Sequence, residues 1–188
     1  MRPTTIQTYH WTRQEFEQLA STGIFDPEDR LELLDGEIFQ MTPQSAWHAT
    51  TVLRAQKILF RIFGQGYEVR TQLPLAIDEH ALPEPDLAVV EGTLDDYQEA
   101  HPTTAVLVIE VSDSSLAYDK ERKLPRYAQN GIPEYWIVNL SDFCLEVYRN
   151  PVGANYQAHT IYQIGDTVTL LPAPDVRIAV ADLLPKVS

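Results

Sequence analysis

From Val106 to Val111 the chain is apolar at every position but one, and that one is Glu110. A run so short and so apolar reads as a strand covered on both faces, at the centre of a sheet. Residues 87–90 form a second short apolar run, opened by Pro85-Asp86, and Val69, Thr71, Leu73, Leu75 and Ile77 alternate with more polar residues as a further strand. Upstream, residues 46–63 place Val52, Leu53, Leu59 and Ile62 at helical spacing, with Arg54, Lys57 and Arg61 on the outer side. Downstream, residues 116–129 predict a helix ended by Asn130-Gly131, followed by strands over 135–138 and 144–148. The order helix, three strands, helix, strand predicts an α/β fold with a mixed sheet, an arrangement that hosts many functions.

Other signals frame this core. Thr12-Arg-Gln-Glu15 has the form of a capping box and predicts a helix to about residue 20, with Phe16 and Leu19 facing inward. Asp35-Gly36, between residues 31–34 and 37–41, predicts a hairpin, because both turn positions tolerate positive φ. Residues 156–171, with a turn at Ile164-Gly-Asp166, predict a terminal hairpin. No repeat or linker divides the sequence, so residues 1–188 are expected to form a single domain with its core over about 44–148. A chain of that size buries roughly 70% of its unfolded surface.

Composition narrows the setting. A lone cysteine, Cys144, permits no internal disulfide and suits a small buried hydrophobe in a reducing cytoplasm. No segment resembles a signal peptide or a membrane span, so no membrane association is expected. A net charge of −13 opposes tight non-specific binding to nucleic acid, which depends on Lys and Arg neutralising phosphates. The charge is uneven, however. Arg54, Lys57, Arg61 and Arg70 form one basic island, and Lys120, Arg122, Lys123 and Arg126 form another.

Two acids on neighbouring strands, Asp86 and Glu110, can share one hard cation, since Mg²⁺ takes oxygen ligands and typically one or two carboxylates from protein. Each residue also has a plainer reading. Aspartates often cap turns, as Asp86 would after Pro85. A buried carboxylate such as Glu110 is harder to explain without a partner. Lys123 could pair with Asp119 four residues before it as an ordinary surface pair, and Pro125 either bends the helix or leaves Lys123 in its first turn. Glu32 on a hairpin strand could face solvent, and His48 could be a polar residue at a helix start. Five scattered histidines and one cysteine show no zinc spacing, and Ser112, Ser114 and Ser115 lack the glycine-flanked elbow of a serine hydrolase.

Taken together, Pro85-Asp86, Glu110-Val111 and a nearby lysine resemble the PD-(D/E)XK nuclease superfamily, with Ser112 where its lysine is expected. The longer pattern of Glu110-Val111, Ser114-Ser115, Asp119, Lys123, Tyr127, Gly131 and Glu134-Tyr-Trp136 resembles the Uma-two family of restriction endonucleases, a domain-of-unknown-function family within that superfamily. So do Arg30-Leu-Glu-Leu-Leu-Asp-Gly-Glu37, Met41-Thr-Pro43 and His48, and the likeness runs from about Thr12 to Tyr148.

The resemblance implies a restriction-endonuclease-like core with an N-terminal helix and hairpin and a C-terminal hairpin. It implies a metal-dependent DNA endonuclease in which Asp86, Glu110 and the carbonyl of Val111 hold Mg²⁺ or Mn²⁺. Lys123, or Lys120 in its place, would stand in for the lysine missing at Ser112, with Glu32 and His48 in support. DNA is the expected substrate, and a homodimer is compatible with it. The rivals are a non-catalytic binding or assembly module on the same fold and a hydrolase of another phosphodiester.

Overall fold

The computed structural model describes residues 6–26 and 28–186. Its centre is a six-stranded mixed sheet in the order β3 (Tyr67–Thr71), β4 (Leu87–Glu91), β5 (Leu107–Ser112), β6 (Glu134–Asn139), β7 (Cys144–Val152) and β8 (Asn155–Gln163). Strands β5 and β6 are parallel and every other neighbouring pair is antiparallel. A parallel pair needs a crossover. Here the crossover runs through α3 (Leu116–Tyr118), a π-helical segment (Asp119–Lys123) and α4 (Leu124–Gln129), which follow one another without a break.

Both sheet faces are covered, which is why β5 is apolar on both sides. On one face Val52, Ala55 and Leu59 of α2 (Ala46–Ile62), with Phe63 just past its end, pack on Leu87, Leu107, Ile109 and Trp136. On the other, Leu124 and Tyr127 of α4 pack on Val90, Val108, Tyr135 and Ile137. Helix α1 (Arg13–Ser21) starts at the expected capping box, Thr12 with Glu15, and buries Phe16. The hairpin of β1 (Leu31–Leu34) and β2 (Glu37–Gln40) turns through Asp35 (φ 58°) and Gly36 (φ 74°). A Cβ at Gly36 would lie 2.6 Å from that of His10, so the turn also requires the missing side chain.

Three expectations change. Strand β3 stops at Thr71 because Gln72 adopts φ 51°, and Leu75 and Ile77 are buried from a loop instead of a strand. Residues 155–163 join the main sheet beside β7, and the C-terminal hairpin is formed by β9 (Thr167–Leu170) and β10 (Ala173–Ala179), ahead of the short α5 (Val180–Leu183). Leu53 of α2 is 53% exposed, and Ala55 takes the inward position. No helix among the described residues is long and apolar enough to cross a membrane.

The π segment resolves the difficulty posed by Pro125. In a regular helix its ring would meet the carbonyl of Glu121. Here the Leu124 amide donates to the Asp119 carbonyl five residues back, which widens the turn just before the proline. Such single wide turns recur at functional sites.

Candidate active site

The sheet ends unevenly. Pairing between β4 and β5 stops at Leu87 and Ile109, so Glu110, Val111 and Ser112 run past the start of β4. Asp86 folds into that notch, where its Oδ2 accepts the Val111 amide at 2.9 Å and its own amide donates to Glu110 Oε2 at 3.3 Å. His48, in the first turn of α2, donates from Nε2 to Asp86 Oδ2 at 3.0 Å, and Gln72 donates to Oδ1 at 3.1 Å. His48 is thus a helix-start residue, its amide capped by Ser45 Oγ, and also the neighbour of Asp86.

Lys123 arrives from the opposite side. As the last residue of the π segment it points into the sheet, with Nζ 3.0 Å from Glu110 Oε1 and 3.2 Å from Glu32 Oε2. Glu32 is fully buried and does not face solvent; its Oε2 also accepts the Glu84 amide at 3.1 Å. The surface pair with Asp119 does not form, because Asp119 is itself buried and accepts from Ser112 Oγ at 2.6 Å and Ser115 Oγ at 2.7 Å. Ser112, where a lysine was expected, therefore orients an acid. Lys120 turns away to Glu146 Oε1 at 2.7 Å, which leaves Lys123 as the amine at Glu110. Tyr127 adds a hydroxyl, donated to Glu110 Oε1 at 2.9 Å.

Burial and charge set the protonation of the cluster. Burial pushes the Glu110 carboxyl up to about 8, against the pull of the Lys123 ammonium. Burial also works against the charge of Lys123, but Glu110, Glu32 and Asp119 outweigh it and hold the amine well above its ordinary value. Asp86 would likewise be raised by burial, yet the hydrogen bonds from His48, Val111 and Gln72 leave it below the usual carboxylate range. The amine thus keeps its proton, and Asp86 its negative charge.

Among the described residues no group of three or more His, Cys, Asp and Glu is arranged as a ready metal cage. The donor set nevertheless suits a Mg²⁺-type ion that keeps most of its waters. Each carboxylate oxygen has two acceptor positions. Asp86 Oδ2 and Glu110 Oε1 each already accept two hydrogen bonds, whereas Asp86 Oδ1 and Glu110 Oε2 accept one each. The Leu140 amide donates to the Ser112 carbonyl on the β6 side. Successive carbonyls alternate along a strand, so Val111 turns its own toward the notch.

Asp86, Glu110, Lys123 and His48 line one open cavity of about 230 Å³. Its wall carries Glu84, Asp86, Glu110, Asp113 and Asp119 against only Arg30 and Lys123, an excess of acid that a bound cation would offset. Of the second basic island only Lys123 serves it, since Lys120 is held by Glu146. Arg122 pairs with Asp35 and Glu37, and Arg126 with Asp35 and Asp78. Gln72 carried no signal in the sequence, since its place depends on the turn after β3. Tyr127 stood in the family pattern without a role.

A family model described as "Putative restriction endonuclease", named Uma2, matches residues 13–181. The chain belongs to the Uma2 family. Membership supports a nuclease function, and the divalent metal general to restriction-endonuclease-like proteins agrees with the acidic notch. A solved structure described as a putative nuclease belonging to DUF820, from Anabaena variabilis ATCC 29413, superposes with a TM-score of 0.72 at 16% identity, over 92% of this chain and 96% of that one. That likeness fixes the fold as restriction-endonuclease-like. No match was found among proteins of curated function.

Proposed function

We propose that this Uma2 protein is an endonuclease that hydrolyses DNA phosphodiester bonds with Mg²⁺ or Mn²⁺, through Asp86, Glu110 and Lys123. The observation that best supports the reading is the meeting of a helix-borne lysine with a strand-end glutamate, Nζ to Oε1 3.0 Å, beside a second carboxylate in one cavity. Asp86, Glu110 and the Val111 carbonyl would hold the ion, which when bound polarises the phosphate and acidifies a water.

The chain's own residues supply the rest. Lys123, fixed between Glu110 and Glu32 and keeping its proton, serves as a point charge that orients the attacking water and stabilises negative charge growing on the phosphate. While protonated it is not a general base. His48 and Gln72 hold Asp86 in one orientation, and Glu32 holds Lys123. Arg30, on the cavity wall and without an ion pair among the described residues, is placed to receive a substrate phosphate.

The test is nicking of supercoiled plasmid by purified protein with Mg²⁺ or Mn²⁺ and in chelator. Glu110→Gln keeps size and removes the carboxylate that a bound cation would hold ionised, so a loss of roughly a hundredfold or more is expected for a metal-binding, charge-stabilising group. Full activity in that variant, purified in parallel to exclude contaminating nuclease, would sink the assignment. Absence of cleavage by the unaltered protein with either ion would favour the non-catalytic reading.

A further inference from the structure

The outer face of α2 plays no part in the site described above, and its composition departs from that of the whole chain. Residues 38–67 contain no Asp or Glu, in a protein with 27 of them. Over the same stretch Arg54, Lys57 and Arg61 follow one another at three- and four-residue spacing, which sets them on one stripe with rises of about 4.5 and 6 Å. None of the three is ion-paired among the described residues. Leu53 and Phe60 flank the stripe, 53% and 56% exposed, and Trp47, 49% exposed, stands at the end of the helix where Ser45 and His48 line the cavity.

We infer that this face seats an unpaired nucleic-acid strand and leads it to the cavity, an inference that rests on the nuclease reading. A basic row meets phosphates, and exposed aromatic and apolar side chains beside it offer stacking surface to bases that a duplex keeps hidden. The acidic remainder of the molecule repels the strand elsewhere and so favours this track. A second copy of the chain fits less well, because a symmetric contact of α2 with itself would bring Lys57 and Arg61 against their own copies with no acid on the face to offset them.

Anisotropy of labelled single-stranded and duplex DNA oligonucleotides, titrated with the full chain in chelator, tests this apart from cleavage. Phe60→Ala and Leu53→Ala, both at exposed positions, are expected to weaken single-strand binding about tenfold and to change duplex binding by less than about threefold. Lys57→Glu and Arg61→Glu should weaken both and lower the salt slope by about one for each phosphate no longer neutralised. Unchanged affinity in all four variants, or equal losses for single strand and duplex in the Phe60 and Leu53 variants, overturns the inference. So does a micromolar dimer in sedimentation that Leu53→Ala dissociates. A protein that binds through α2 yet never cuts DNA would defeat the nuclease reading alone and leave this one standing.

Discussion

Lys123 and Glu110 meet inside the protein, 1% and 3% exposed, with a hydrogen bond of 3.0 Å joining a π-helical turn to the end of the central strand. Glu32, wholly buried, closes the contact from the hairpin side at 3.2 Å. Three separate elements thus converge on one ammonium.

Removing that ammonium should cost stability as well as activity. Lys123→Met leaves the buried acids Glu32 and Glu110 without their shared cation, and breaking such a buried pair typically costs about 3–5 kcal/mol, less where an acid takes up a proton. Adding Glu32→Gln and Glu110→Gln to the same chain should recover most of the loss in urea unfolding. If the single variant is as stable as the parent, the network is not the buried ion cluster described here.

Metal binding can be read without catalysis. An ion that binds only the folded protein raises its unfolding temperature, so Mn²⁺ should stabilise the parent in thermal scans, with reversal by chelator. Asp86→Asn and Glu110→Gln should each abolish most of that rise. The same rise in all three proteins would place the ion elsewhere.

Acid stability should register Glu146. Burial alone would raise its carboxyl, but the hydrogen bonds from Lys120, Tyr148 and Asn139 outweigh burial and hold it below its ordinary 4.5. A depressed carboxylate contributes stability that is full above its unfolded value and is lost as pH falls through the folded one. The window therefore lies below 4.5, and Glu146→Gln should flatten the fall in unfolding free energy there. Curves of the same slope for both proteins would contradict the assignment.

The anchoring of the crossover helix can be probed from a distance. Asp35 accepts ion pairs from Arg122 and Arg126, both part-exposed. Asp35→Asn keeps a residue that tolerates the positive φ of the turn and removes the charge. Pairs of this exposure contribute about 0–1 kcal/mol each, so stability should fall little while plasmid nicking falls several-fold. Equal activity at equal stability would show that the helix needs no such tether.

Much of this was legible because it is local. The capping box at Thr12, the Asp35-Gly36 turn and the buried strand carrying Glu110 depend on neighbours in sequence, and each stands where the pattern put it. What was not legible depends on partners far along the chain. Glu32 is buried because Lys123, 91 residues later, is there to receive it. Arg122 and Arg126 look like a basic patch until Asp35, Glu37 and Asp78 are brought against them. Leu53 has helical spacing but no facing surface, and Gln72 stops a strand that alternation alone would continue to Ile77.

A lysine two residues along the same strand would share Glu110's backbone and be present whenever the sheet is folded. Carried on the helical crossover, it is present only while that crossover, the β1–β2 hairpin and the sheet are docked together. Local openings of a native protein occur at lower free energy than global unfolding, and any opening that lifts the hairpin or the π turn is a folded molecule without its ammonium in place. The competent fraction multiplies apparent affinity and rate alike. The stability of the most weakly docked of the three elements, measurable by amide hydrogen exchange, therefore sets how much of the folded population is chemically complete at any moment.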